Sequence, residues 1–206
     1  MRELVKRRFA DTRPPRDALA EAAARLRPLF PVDDWLRCGP VRPAAVLVPL
    51  IERAGGLTVL LTERNADLPD HPGQISFPGG RQDPDDADAV AAALRESEEE
   101  VGIPARSVEV VGFLPAHLTL TGYVVTPVVG LVTPDFDFKL DKKEVADIFE
   151  IPMEIILDPQ TQATELRLVE GRELILPVYL HAGRRVWGAT AFMLRDLARH
   201  LMEQAA

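Results

Sequence analysis

Cysteine is nearly absent: Cys38 is the single one in 206 residues. An internal disulfide is excluded, and a lone thiol is more often a small core residue than a nucleophile. A reducing cytoplasm is the expected compartment. Long apolar runs are also missing. The longest, such as 44–51, falls far short of the roughly 18 residues that a membrane-spanning helix needs. Met1 to Phe9 carries basic residues but runs into Asp11, Thr12 and Arg13, not the apolar core of an export signal. Lysine is scarce, and the net charge of −8 opposes a nucleic-acid surface, which depends on clustered cations. Repeats and low-complexity tracts are absent as well. What remains is a folded protein with 47% hydrophobic residues, long enough for one sizeable core. An acidic chain can still act on an anionic phosphate substrate if metal ions or a few local arginines reverse the field inside its cleft.

The pattern along the chain mixes strands and helices without strict alternation. Asp17 to Leu26 reads as a short amphipathic helix, joined by a proline-containing segment to the body. Residues 1–43 are therefore expected to pack as an N-terminal helix and connector on a domain spanning 44–206. Ala44 to Leu50 and Leu57 to Thr62 are β-rich runs around the turn signal Ala54, Gly55 and Gly56, which predicts a hairpin. Leu68 to Asp86 is a Gly- and Pro-rich loop. Asp88 then caps a helix that runs to Val101 and stops at Gly102. Val108 to Leu114, Tyr123 to Val132, Thr164 to Val169 and Glu173 to Leu180 read as strands, the last two joined by a Glu170-Gly171 turn. Ala189 to Glu203 reads as a closing helix. The class is α/β, with a mixed sheet flanked by helices.

The helix from Asp88 to Val101 carries the chemistry. Val90, Ala93, Leu94, Ser97 and Val101 recur at the helical period and are expected to face the core. Glu96, Glu99 and Glu100 share a neighbouring arc of roughly 100°. Like charges at three- and four-residue spacing repel, so a compensating cation is expected, and hard ions such as Mg2+ or Mn2+ prefer such oxygen ligands. Arg95 can steady the array by pairing with Glu99 or with an acid of the preceding loop. For an arbitrary acidic run a solvated face is the better reading, at roughly 80%. Here Phe77-Pro78-Gly79-Gly80 places a flexible backbone and a free carbonyl nearby.

Gly80 and the run Arg95-Glu96-Ser97-Glu98-Glu99-Glu100-Val101-Gly102-Ile103 resemble the signature of the Nudix hydrolases, which cut nucleoside diphosphates linked to another group with the help of divalent metal. One extra residue separates Gly80 from Arg95, Asp86 or Ala87 stands at an expected Glu, and Ser97 replaces an apolar residue. Leu60-Leu61-Thr62-Glu63-Arg64, Gly73 and Phe77-Pro78-Gly79-Gly80 look like the added motif of the coenzyme A pyrophosphatase branch, with Pro69 where an arginine is usual. Gly122-Tyr123, Val125 to Gly130, Trp187-Gly188 and Thr190-Ala191 are similar to that branch too. The resemblance implies a Nudix-like α/β/α sandwich, a nucleotide substrate contacted by Arg64, Gly73, Phe77 and Gly79, and a homodimer. It further implies that Glu96 and Glu100 lead the metal ligands, with Glu99 and the Gly80 carbonyl completing the shell. One of these glutamates, or Glu144, would take the proton from the attacking water. Coenzyme A would yield adenosine 3',5'-bisphosphate and phosphopantetheine.

Other constellations fail: there is no Gly-x-Ser-x-Gly elbow, no Gly-Lys-Ser or Gly-Lys-Thr phosphate loop and no His-Glu-x-x-His helix. His71, His117, His181 and His200 are scattered and read as structural or surface residues, though His71 and His117 flank the predicted cleft. Trp187 reads as a core aromatic. Two rivals stand beside the first reading: a Nudix pyrophosphatase for ADP-ribose, dinucleotides or oxidised nucleotides, and a nucleotide-binding module without turnover.

Overall fold

A computed structural model describes residues 1–29, 32–36, 39–68, 72–169 and 172–203. Cys38, Pro69, His71 and the Glu170-Gly171 turn lie outside the described residues. In chain order the helices and strands are α1 (Arg2–Phe9), α2 (Ala18–Leu26), α3 (Val32–Leu36), β1 (Arg42–Arg53), β2 (Gly56–Arg64), β3 (Ile75–Ser76), β4 (Gly79–Arg81), α4 (Ala89–Val101), β5 (Val108–Phe113), β6 (His117–Leu118), β7 (Tyr123–Val132), β8 (Val145–Pro152), α5 (Met153–Leu157), β9 (Gln162–Val169), β10 (Arg172–His181), β11 (Arg184–Val186) and α6 (Gly188–Met202).

The central sheet is mixed. β1 and β7 run parallel along ten paired positions from Arg42↔Tyr123 to Ile51↔Val132, and every other ladder is antiparallel. The apolar run in β1 is continuous because both of its faces are buried. Val48 and Leu50 join one core, with Val59, Leu61, Val129 and the α6 residues Leu194 and Leu197. Leu47 and Ile51 join the other, with Leu60, Val128 and the α4 residues Ala92 and Ala93. Helices thus cover both faces, as the expected sandwich requires. No helix among the described residues is long and apolar enough to cross a membrane.

One edge of β1 is shared by two partners. Residues 44–46 pair with β4, whereas 50–53 pair with β2 around the predicted hairpin turn. Between them the Leu47 N–H donates to the Pro78 carbonyl at 2.9 Å, the single backbone bond there among the described residues. β2 and β4 therefore diverge, and the split between them opens into a cavity. Gly79 is needed here: its φ is 145°, and an added Cβ would lie 2.4 Å from the Ala45 carbonyl oxygen across the ladder.

Several elements escape the sequence pattern. The segment expected as a loop, Leu68 to Asp86, contains β3 and β4, which are too short to show a period. Strand β8 and helix α5 follow one another directly, with Pro152 alone marking the junction. Helix α1 carries only a two-residue apolar stripe, Val5 and Phe9, yet both are fully buried in the main core. A smaller three-stranded sheet, β11-β10-β9, stands apart from the main one.

Candidate active site

Helix α4 begins and ends where its caps dictate. The Asp88 side chain accepts from the Ala91 N–H at 2.9 Å, and Gly102 adopts the left-handed conformation at φ 76°. Its buried face is turned from the expected stripe: Ala92, Ala93, Ser97, Glu100 and Val101 are buried, while Val90 and Leu94 are only half-buried. Small alanines let the helix approach β1 and β4 closely, and that rotation carries Glu100 inward. Ser97, fully buried at a position where an apolar residue is usual, satisfies its hydroxyl by donating to the Ala93 carbonyl at 2.6 Å.

The three acids meet different fates. Glu100 is 6% exposed and accepts a 3.1 Å bond from the Gly79 N–H. Burial pushes its pKa up to about 8, against the Gly79 bond, and the charges of Glu96 and Glu144 push the same way. Glu96 is half-buried; burial raises its pKa, the Arg95 guanidinium opposes, and Glu99 and Glu144 add repulsion. Its carboxylate lies so close to Gly80 that an added Cβ there would sit 2.7 Å from it. Glu99, with its side chain 60% exposed, does not line the cavity.

Arg95 holds the array in register. Its Nε and Nη2 grip Asp86 at 3.0 and 2.8 Å, its Nη1 donates to Glu96 at 2.9 Å and Glu99 at 3.1 Å, and Nη2 also reaches the Arg81 carbonyl at 3.2 Å. Both partners expected for it, the acid four residues on and the acid of the preceding loop, are present. The bonds from Arg95 hold Asp86 below the ordinary carboxylate range despite some desolvation.

Glu96 and Glu100 open onto one cavity of about 960 Å³, whose lining includes neither Arg95 nor Glu99. Of the expected site residues, Arg64, Phe77, Gly79, Gly80, Glu96, Glu100 and Glu144 line it. Gly73 does not: it occupies an exposed turn at φ 66°, where it serves the backbone. The wall also holds Arg25, Arg42, Arg81, Arg167 and Arg195, so with Arg64 six arginines face three glutamates inside a protein of net charge −8. Arg25, Arg81 and Arg167 are paired with Asp196, Asp83 and Glu165, which leaves Arg42, Arg64 and Arg195 without a paired carboxylate among the described residues, the cations that an anionic ligand would meet in this wall. The Arg64 Nε is buried without a hydrogen-bond partner, a donor left over for such a ligand. Trp187 corrects an expectation. It is half-buried in the cavity wall with Arg167 and Arg185 lying 4.8 and 5.5 Å over its ring, because the β11–α6 junction sets it beside those strands and outside the core.

The site fits a hard cation in its donors. It offers carboxylate oxygens that repel one another, one of them costly to bury while charged, beside a glycine that admits the Glu96 carboxylate to the β4 backbone. The fit is not a closed cage, since among the described residues no three acid, His or Cys side chains are gathered tightly enough to hold an ion by themselves. An ion here would depend on further oxygen donors, such as backbone, water or substrate phosphate.

The profile of the NUDIX domain matches residues 41–173, a span that contains β1, the glycine strand and the whole of α4. The chain belongs to the NUDIX domain family. A curated relative from Escherichia coli strain K12, the uncharacterized Nudix hydrolase NudL, is 44% identical over 169 residues, covering 76% of this chain and 81% of its own. The NudL of Citrobacter koseri is 45% identical over 160 residues, with the same coverage. Among solved structures, the Nudix hydrolase RenU of M. smegmatis matches 82% of this chain and 92% of its own at a TM-score of 0.53, and at 20% identity this likeness is one of fold alone. This Nudix hydrolase is accordingly a pyrophosphohydrolase of nucleoside diphosphate derivatives, and enzymes of the family generally use divalent metal ions. Sequence reasoning missed the arginines lent by α2, β9 and α6, which carry no local signal; only the topology brings them to one wall.

Proposed function

We propose that the substrate is coenzyme A or an acyl-coenzyme A, cut at its pyrophosphate to adenosine 3',5'-bisphosphate and (acyl-)phosphopantetheine. The observation that carries this reading is the second motif. Its Arg64, Phe77, Gly79 and Gly80, which resemble the coenzyme A pyrophosphatase branch, all line the cavity. The volume of about 960 Å³ also suits a long, branched substrate, being at the upper end of ordinary ligand sites.

In this reading Glu96 and Glu100 hold Mg2+ or Mn2+ with the Gly80 carbonyl, and Glu99, expected in the shell but exposed and bonded to Arg95, contributes charge near the site and no ligand. The ion, when bound, supplies charge neutralisation for the phosphates and lowers the pKa of a bound water. The protein's own groups do the rest. Arg64 offers its free Nε to a phosphate oxygen, Arg95 keeps Glu96 aimed, and Glu144 or one of the helix glutamates accepts the proton of the attacking water. A homodimer in a reducing cytoplasm completes the proposal.

Incubation with Mg2+ and a panel of coenzyme A, acetyl-coenzyme A, ADP-ribose and diadenosine polyphosphates tests it, read by chromatography of the products. Release of adenosine 3',5'-bisphosphate is expected. Turnover of ADP-ribose or the dinucleotides with coenzyme A left intact would reject it, and no turnover of any nucleotide would favour a binding module.

A further inference from the structure

The cavity has a second charged end that the hydrolytic chemistry leaves unused. One row of the sheet measures its span: Arg81 on β4 pairs with Ala44 on β1, Ala44 with Val125 on β7, and Val125 with His117 on β6. Three interstrand steps put His117 about 14 Å from the glycine strand. The floor between, formed by Ala44, Val46 and Val125, is apolar.

Helix α6 closes that far end with Arg195. Its Nε is buried without a hydrogen-bond partner, and its guanidinium lies 4.6 Å over the Phe192 ring. No carboxylate pairs with it among the described residues. The adjacent Asp196 is already engaged by Arg25 at 2.5 Å and by His117 at 3.0 Å. Burial opposes the charge of Arg195 and Arg199 adds repulsion, and together they outweigh the pull of the neighbouring Asp196, which makes no ion pair with it. A half-buried guanidinium aimed at a cavity and lacking a counter-ion is costly until an anion arrives, and its planar fork matches a phosphate.

We propose that Arg195 binds a phosphate monoester on the nucleoside half of the substrate while the scissile anhydride lies at the glutamate end. The proposal rests on the coenzyme A reading, whose substrate carries such a group on the ribose. Arg195 is thus a specificity residue, remote from the bond that breaks.

The test compares ligands that differ only in that group. Titration calorimetry with Mg2+ measures adenosine 3',5'-bisphosphate against AMP, and kcat/KM is measured for coenzyme A against dephospho-coenzyme A. For the native protein both ratios should favour the phosphorylated member by at least about tenfold, the scale of one charge-assisted contact. Arg195→Gln should bring both ratios near one while leaving AMP binding unchanged, and Arg195→Lys should keep part of the preference. Equal binding of the two nucleotides by the native protein, or an equal loss for both in the variants, overturns the proposal. Should Arg195→Gln fail to fold, the native ratios and Arg195→Lys decide. The two readings fail separately: discrimination dependent on Arg195 without cleavage of coenzyme A removes the substrate assignment alone, whereas cleavage without discrimination removes only the role of Arg195.

Discussion

Helices α4 and α6 wall the same cavity from opposite faces of the sheet, yet they advertise their roles very differently. Helix α4 carries four glutamates in five residues, an arrangement that strains an isolated helix and asks for an external cation. Helix α6 is an ordinary amphipathic helix whose Leu194, Leu197 and Leu201 face the core. Its Arg195 and Asp196 become significant only because β6 and α2 bring His117 and Arg25 against them. A site built by crowding like charges breaks a local rule and shows in the sequence. One built by single residues from several elements obeys every local rule and stays hidden.

The sharpest way to test the α4 side is to separate its buried acid from its exposed one. Glu100→Gln keeps a carbonyl oxygen to accept the Gly79 N–H but removes the charge, and turnover should fall by at least roughly a hundredfold. Metal-free melting temperature should not fall, because a neutral amide is easier to bury than a carboxylate. Glu99→Gln, at a side chain 60% exposed, should cost less than about tenfold. Unchanged activity in Glu100→Gln would remove its metal role, and equal losses in both variants would erase the distinction between them.

Much of this contrast was legible beforehand, and the reasons are physical. Strand β7 matches its predicted bounds because a ten-residue apolar run buried on both faces cannot slip. Helix α4 matches because Asp88 and Gly102 punctuate it. The inward turn of Glu100 was not legible: helical periodicity placed it at the core edge, and only the Gly79 bond and the close packing of Ala92 and Ala93 decide that it is buried. Which acid of the loop meets Arg95 is set by the fold: the loop turns back through the Asp83–Asp86 contacts, and that presents Asp86 to the guanidinium. Strands β3 and β4 were invisible because two or three residues carry no period.

The two adjacent glycines offer a second break. Gly80→Ala places a methyl group 2.7 Å from the Glu96 carboxylate, so activity should drop roughly tenfold or more through misplacement, with little change in melting temperature. Gly79→Ala meets backbone instead, 2.5 Å from the Val46 Cα and at an unfavourable φ, and should lower the melting temperature by roughly 5–10 °C. If Gly80→Ala loses stability and keeps its activity, the close approach of Glu96 to the glycine strand is structural and not functional.

The smallest expected effect belongs to the α6 end and runs with acidity. Burial is the main influence on His117 and holds its pKa below the ordinary value of 6.5, against the bond to Asp196. Burial would raise Asp196, but His117 and Arg25 outweigh it and hold its pKa below 3.8. For both groups the unfolded chain takes up its proton first as pH falls, so the stability each contributes is present at neutral pH and lost on acidification. His117 acts first, from about pH 6.5 downward, where the unfolded chain begins to take up its proton. His117→Gln should therefore make the decline in melting temperature between about pH 6.5 and 5 shallower than in the native protein, and Asp196 should govern only the loss below about pH 4. A variant whose melting curve falls in parallel with that of the native protein would show that His117 titrates alike in both states, and that the far end of the cavity is wetter than its burial implies.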